Sequence, residues 1–256
     1  MLIVLDIGNT HLVAAVFDGE MLVGHGRLST HPERTADEWM VSLTQLFQLH
    51  QWDIAAITGA ALASVVPSVG AVMKEMCRPL FQCEPVIVGA QGVALGIEVV
   101  VDNPKEVGAD RVVNALAAFT LYGPNLIIVD FGTATTFDVV DEGGRYVGGV
   151  IAPGINLSMK ALHMATAQLP AIDVKKTDKV VGTNTVDAMR SGVYHGYRHA
   201  IEGICAQIKT EMGHPSMKVI ATGGLAFLFA DATPVIDRVE PYLTLYGLKQ
   251  IYELNQ

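Results

Sequence analysis

The chain has 256 residues, of which 50% are hydrophobic and 17% are charged, and its formal net charge is −9. This length and apolar content can bury one large core or two smaller ones. The acidic balance argues against a nucleic-acid-binding protein, whose footprint is a basic surface. No apolar run reaches the roughly 20 residues that cross a bilayer, and no secretory signal pattern is seen, so a cytoplasmic protein without membrane contacts is expected.

The first half of the chain predicts a succession of strands and helices, because short apolar runs are bounded by Gly, Pro and polar residues. Short turns separate the first three runs, which indicates a meander of strands. Later runs alternate between strand-like and helical spacing. The predicted strands span residues 2–6, 11–17, 21–28, 54–66 and 84–89, and the predicted helices span 36–50 and 68–79.

The stretch "DNPKEVGADR" carries signals for the start of a helix. Asn103 suits an N-cap and Pro104 the first helical position, while Glu106 follows Asn103 by three residues, as in a capping box. A helix is therefore expected to begin here. It would carry Asp110 and Arg111 near its N-terminal end, although such a pair is also typical of a surface ion pair worth under ~1 kcal/mol.

The second half of the chain repeats the first. "LIVLDIGNTHLVAAVFDG" (residues 2–19) aligns without gaps to "LIIVDFGTATTFDVVDEG" (residues 126–143). Two α/β halves, 1–122 and 123–256, are therefore predicted, each with a mixed sheet flanked by helices. The predicted strands of the second half lie near 126–130, 134–140, 145–151 and 218–224.

Each copy of the repeat ends its first strand in an Asp-x-Gly corner, at Asp6 and at Asp130. Glycine lets the backbone approach a phosphate, and N–H groups of the turn can donate to it. A carboxylate repels phosphate but can hold a cation beside it, usually through water for Mg²⁺. Alternatively, both carboxylates merely accept hydrogen bonds from turn N–H groups. The duplication favours phosphate and cation binding.

Six motifs in order resemble those of the type III pantothenate kinases, in the acetate and sugar kinase, Hsc70 and actin superfamily. The resemblance implies duplicated actin-like (ribonuclease H-like) α/β domains. It also implies ATP-dependent phosphorylation of pantothenate, the first step of coenzyme A biosynthesis, by a homodimer with substrate near the subunit interface. The motifs are "DIGNT", "DNPKEVGADR", "DFGTATTFD", "GGVIAPG", "GTNTVDAMRSG" and "ATGG".

The same resemblance assigns roles to individual residues. Asp110 matches the catalytic base, which accepts the proton of a primary hydroxyl during attack on the γ-phosphate. Asp6 is expected near Mg²⁺, and Asp130 matches the ligand of a monovalent cation, K⁺ or NH₄⁺. The residues expected to contact ATP are Asp6, Ile7, Gly8, Asn9, Thr10, His11, Leu12, Val13 and Thr133. Those expected to contact pantothenate are Val101, Gly108, Ala109, Asp110, Arg111 and Thr185.

One residue departs from the family pattern, and other features are interpreted as structural. Val101 stands where many relatives have a tyrosine, and valine can pack against a substrate but cannot donate a hydrogen bond to it. His195 and His199 have metal-ligand spacing but lack an HExxH glutamate, which favours a structural role. The three cysteines form no CxxC motif and are expected to be reduced thiols.

Two other functions stay open on the sequence. A superfamily kinase for a different hydroxylated metabolite would share the glycine-rich corners, whereas the motif around Asp110 argues against it. A non-catalytic regulatory relative, of the kind named as an accessory factor for transcription, would be favoured by degraded corners. Both corners and Asp110 are intact.

Overall fold

The computed structural model describes residues 1–165 and 169–256. Contacts divide the chain into two compact units, residues 1–120 with 242–256, and residues 121–241. The division into halves at residues 122 and 123 stays a prediction about domains. The compact units differ from it because the chain returns at Tyr242, so that its last segment packs with the first unit.

The elements of the first 122 residues are β1 (Leu2–Ile7), β2 (His11–Asp18), β3 (Met21–Ser29), α1 (Ala36–His50), β4 (Gly59–Ser64), α2 (Pro67–Phe81), β5 (Pro85–Ile87) and α3 (Ala109–Tyr122). Those that follow are β6 (Leu126–Phe131), β7 (Ala134–Val140), β8 (Tyr146–Pro153), α4 (Ile155–Met164), α5 (Thr185–Glu211), β9 (Lys218–Gly223), α6 (Ala226–Ala230), β10 (Arg238–Val239) and α7 (Leu243–Leu254). The strands and helices predicted from the apolar runs are confirmed in order, with ends that differ by a few residues. Within the predicted strand region 54–66, a 3₁₀ turn at Ile54–Ala56 precedes β4.

The sheet of the first unit has the strand order β3-β2-β1-β4-β5. β1 is antiparallel to β2 and parallel to β4. Apolar side chains of β1 pack with those of α1 and α2 in one core that includes Ile3, Trp39, Phe47 and Met73. α1 begins where Thr35 and Glu38 form a capping box, which fixes its start at the predicted residue.

The sheet of the second unit has the strand order β10-β9-β6-β7-β8. β6 is antiparallel to β7 and parallel to β9, as β1 is to β2 and β4. Alternate residues of β6, such as Ile127 and Val129, join a core with Tyr194 and Cys205 of α5. The two sheets therefore share one local plan, in which a central strand ends in an Asp-x-Gly corner.

The gapless alignment of the two copies is wrong beyond the corner. Ile3 pairs with Val16, and its equivalent Ile127 pairs with Val139, one residue earlier than the alignment requires. The reason is turn length, since four residues separate the paired Ile7 and Leu12. In the second copy three residues separate the paired Phe131 and Thr135.

The helix predicted from Asn103 begins later than expected. Pro104–Glu106 form a 3₁₀ turn, and Asn103 Nδ2 donates to Glu106 Oε1 at 2.7 Å instead of capping the backbone. Val107 has extended backbone angles, so the chain breaks before α3 starts at Ala109. The residues that signal a helix start form a separate 3₁₀ turn. Asp110 therefore lies in the first turn of the helix α3 that follows.

Two further features follow from the described residues. None of their helices is long and apolar enough to cross a membrane. Cys77 and Cys205 are buried free thiols and Cys83 is a half-buried one, as the sequence predicted. Burial raises the pKa of both Cys77 and Cys205 to about 12, which makes these two thiols poor nucleophiles.

Candidate active site

The first corner is a turn closed at both ends by hydrogen bonds. Gly8 N–H donates to His11 O at 3.0 Å. Thr30, the residue after β3, donates twice to the same turn, from its N–H to Thr10 O at 3.0 Å and from its hydroxyl to Gly8 O at 2.7 Å. The turn is exposed at Asn9 and Thr10, so a ligand can reach its backbone.

The predicted ATP contacts in this segment divide by exposure. Ile7 and Leu12 are completely buried in the core. Only their backbone groups could contact a nucleotide. Asp6 and Val13 are half-buried, and His11 is exposed. The segment from Asp6 to Val13 therefore offers a carboxylate, a hydroxyl and backbone groups at the end of one strand pair.

The second corner is closed by two backbone hydrogen bonds. Gly132 N–H donates to Ala134 O at 3.0 Å, and Gly154 N–H donates to Thr133 O at 3.1 Å. Gly154 takes the place that Thr30 has in the first copy, directly after the third strand. A Cβ on Gly154 would lie 2.1 Å from Thr133 O, so this close approach requires glycine. Thr133 itself is exposed.

Asp130 lies against glycine backbone in the second corner. Phe131, the next residue of β6, pairs with Gly223 of β9. A Cβ on Gly223 would lie 2.5 Å from Asp130 Oδ1, and the φ of Gly223 is +88°. Glycine is therefore needed at position 223 both for the space that the carboxylate occupies and for the backbone conformation.

Asp110 is half-buried in the first turn of α3. Its Oδ1 accepts a hydrogen bond from the Arg111 N–H at 2.8 Å. Gly108 makes room for this carboxylate, because a Cβ there would lie 2.7 Å from Asp110 Oδ1. Burial raises the pKa of Asp110, and the N–H and positive charge of Arg111 oppose that rise. A carboxylate with a raised pKa in a helix start is suited to accept a proton.

The C-terminal helix α7 packs against two elements that carry candidate site residues. It contacts β1, which carries Asp6, and its Thr244 hydroxyl donates to Asn114 Oδ1 of α3 at 2.7 Å. A Cβ on Gly247 would lie 2.3 Å from Val113 O, so glycine allows α7 to approach the α3 backbone closely. The return of the chain thereby fixes α3 one turn after Asp110.

The predicted substrate residue Thr185 is the first residue of α5. Asn184 caps this helix, since its Oδ1 accepts the Asp187 N–H at 2.9 Å. Thr185 is exposed and lines a hollow of about 620 Å³ beside the helix start, together with Gly182 and Met189. The prediction of a helix start at this threonine is confirmed, while its contact with substrate stays a prediction.

The remaining candidate residues have simple surroundings. Val101 is half-buried in the loop before the Pro104–Glu106 turn. His195 Nε2 is 3.1 Å from Thr177 Oγ1, and His199 Nδ1 is 3.1 Å from Glu202 Oε2. The contact of His195 joins α5 to the segment before it, whereas that of His199 lies within α5 on an exposed face.

The first corner fits the divalent cation that ATP chemistry requires. Within 1–165 and 169–256, no group of three or more His, Cys, Asp and Glu side chains could hold a metal ion alone. Mg²⁺ does not need such a group, because it commonly keeps several waters and binds one or two carboxylates plus phosphate oxygens. Asp6, beside an exposed turn, fits this donor set.

Sequence reasoning missed Thr30 and did not predict the close backbone approaches at Gly154 and Gly223. The two glycines stand within the quoted motifs "GGVIAPG" and "ATGG", which is the signal that could have identified them. Thr30 has no local signal, since its hydroxyl bonds to a residue 22 positions earlier in the chain.

Comparison with known proteins identifies the family. A sequence model of the type III pantothenate kinases matches residues 2–207. The type III pantothenate kinase of Paramagnetospirillum magneticum is 52% identical, and the match covers 100% of this chain and 98% of that protein. Kinase activity and a divalent metal for ATP follow from this family.

Solved structures support the fold alone. A Campylobacter jejuni protein described as a Baf family transcriptional activator has a TM-score of 0.64 at 18% identity, covering 99% of this chain and 98% of its own. The ROK hexokinase of Thermus thermophilus has a TM-score of 0.51 at 14% identity, covering 99% and 98%. The predicted actin-like sugar-kinase fold is thus confirmed. The chain belongs to the type III pantothenate kinase family.

Proposed function

We propose that this protein transfers the γ-phosphate of ATP to the primary hydroxyl of pantothenate, the first step of coenzyme A biosynthesis. The observation that carries this proposal is the 52% identity to a type III pantothenate kinase over the whole chain. The intact corners and the acidic first turn of α3 support it, since they supply the backbone groups and the base that phosphoryl transfer uses.

Asp110 is the proposed base. Burial raises its pKa, which increases its affinity for the hydroxyl proton, while the Arg111 N–H holds its carboxylate in place. Val101, Gly108, Ala109, Arg111 and Thr185 are the proposed pantothenate contacts. Positioning and charge neutralisation supply most of the catalysis in reactions of this class.

The two corners have different proposed tasks. The segment from Asp6 to Val13 binds the triphosphate, with Asp6 near Mg²⁺ through water. Thr133 contacts ATP, and Asp130 holds a monovalent cation, K⁺ or NH₄⁺. The support for this division is the match of these residues to the family's motifs, and both corners expose hydrogen-bonded turns whose backbone a ligand can reach.

The proposed assembly is a homodimer, and the proposed location is the cytoplasm. Exposed apolar side chains support a dimer, because they cluster in the sequence on the edge strand β8, on α4 and in the segment before α5. Ile151 is 64% exposed, Met164 73% and Val181 79%. Sedimentation at micromolar concentration tests this proposal, and a mass of one chain would reject the dimer.

The kinase proposal is tested with purified protein, Mg·ATP and pantothenate, by measuring ADP release and the mass of the phosphorylated product. Asp110→Asn serves as the inactive control, and other hydroxylated metabolites serve as competing acceptors. Phosphopantothenate formed by the wild type and lost in the variant supports the proposal. Preference for another acceptor, or no turnover in any salt, would contradict it.

A further inference from the structure

Thr30 holds the first corner at two points. Its N–H and its hydroxyl reach the carbonyl oxygens of Thr10 and Gly8, which flank the exposed Asn9. A half-buried residue at the end of β3 thus contacts both peptide groups around the tip of the turn. Neither bond is part of the regular pairing between β1 and β2.

These two bonds set the direction of two backbone N–H groups. In a trans peptide the C=O and the following N–H are coplanar and point in opposite directions. Because Gly8 O and Thr10 O point towards Thr30, the N–H groups of Asn9 and His11 point away from it. Thr30 therefore turns two backbone donors towards the opposite side of the corner.

Without the hydroxyl bond, the first of these peptides would be poorly fixed. Gly8 has no side chain to restrict its backbone, and glycine populates a wide range of dihedral angles. The Thr30 hydroxyl restricts this freedom, because it donates a hydrogen bond of 2.7 Å to Gly8 O. Donors that are oriented before a ligand arrives bind it more tightly than donors that must be ordered by it.

We propose that Thr30 is a positioning residue for ATP, which orients the N–H groups of Asn9 and His11 towards the triphosphate without touching the nucleotide. This inference rests on the proposed function of the first corner. Gly154, the equivalent residue of the second corner, offers only its N–H and has no hydroxyl for such a bond. The orienting hydroxyl bond therefore belongs to the first corner, which is the proposed binding site of the triphosphate.

The test compares Thr30→Val, which keeps the shape but loses the donor, with Thr30→Ser, which keeps the donor. We expect Thr30→Val to raise the KM for ATP by about 3- to 10-fold, the effect of losing one hydrogen bond. The KM for pantothenate should stay within about twofold of wild type. Thr30→Ser should restore the KM for ATP, and calorimetry with Mg·AMP-PNP should show the same order of affinities.

Thr210→Val is the matched control, because the Thr210 hydroxyl makes a similar bond to Ala206 O at 2.9 Å within α5. It should leave both KM values unchanged, and melting temperatures identify any variant that fails to fold. An unchanged KM for ATP in Thr30→Val, or an equal rise in both KM values, would overturn the inference. Absence of pantothenate phosphorylation by the wild type would instead overturn the proposed function.

Discussion

The two Asp-x-Gly corners share a backbone plan but are held by different residues. In the first, the Thr30 hydroxyl and N–H bond to the turn. In the second, Gly154 uses only its N–H and approaches Thr133 so closely that no side chain fits. The first corner is also one residue longer, while both turns have exposed tips, at Asn9 and at Thr133.

The strands parallel to β1 and β6 also carry different residues beside the two corners. Ile7 pairs with Ser64 on β4, and the equivalent Phe131 pairs with Gly223 on β9. The glycine leaves space for the Asp130 carboxylate, which its Oδ1 fills. The comparison teaches that one repeated unit can be held by a threonine hydroxyl in one copy and by close glycine contacts in the other, through changes at residues that only flank the corner.

The largest expected effect tests the proposed base, Asp110. Asp110→Asn should lower kcat by about 10²- to 10⁴-fold, because the hydroxyl proton loses its acceptor. Burial raises the pKa of Asp110, so its ionised form costs the folded state stability near neutral pH. The variant cannot ionise and should melt at the same or a higher temperature than wild type. A kcat near that of wild type would contradict the role of Asp110 as the base.

The next effect concerns the glycine beside the Asp130 carboxylate. Gly223→Ala should destabilise the protein by about 2–4 kcal/mol, since the new Cβ meets Asp130 and a positive φ disfavours alanine. Gly224→Ala is the matched control, because a Cβ there has nothing within 4 Å. Urea unfolding of both variants measures the difference. Equal stability of the two would mean that Gly223 is not needed for the second corner.

The smallest expected effect is on the pH dependence. The base must be ionised to act, so kcat/KM falls as the pH drops through the pKa of Asp110. Burial raises that pKa above its ordinary value of 3.8. The fall of kcat/KM on the acidic side of the pH profile should therefore occur at higher pH than for an exposed aspartate. Thr30→Val should leave this acidic fall unchanged, since the hydrogen bonds of Thr30 go to Gly8 and Thr10 of the first corner. If Thr30→Val shifts the pH at which kcat/KM falls, the first corner and Asp110 are coupled.

Most of the fold could be predicted because the signals are local. Apolar runs that end in Asp-x-Gly located both strand pairs, and apolar residues at helical spacing located α1 at residues 36–50. The predicted start of α3 was too early, because Asn103 and Pro104 favour the start of a 3₁₀ turn as well as that of an α-helix. The return of Tyr242–Gln256 to the first unit depends on long-range packing, which periodicity does not encode.

The candidate site could be predicted only where its residues lie in motifs. Asp6, Asp110 and Asp130 follow from quoted stretches and a family resemblance. Thr30 could not be predicted, because its role depends on the turn that brings the end of β3 beside Gly8. Residues that position a motif from elsewhere in the chain become visible only in three dimensions.

The division of tasks between the corners is tested most directly by titrating K⁺ against pantothenate phosphorylation in Asp6→Asn and Asp130→Asn. We expect Asp130→Asn to lose stimulation by K⁺ while its dependence on Mg·ATP changes little. Asp6→Asn should keep the stimulation by K⁺ and require more Mg·ATP. If Asp130→Asn responds to K⁺ as the wild type does, or if Asp6→Asn loses that response, the proposed division is wrong.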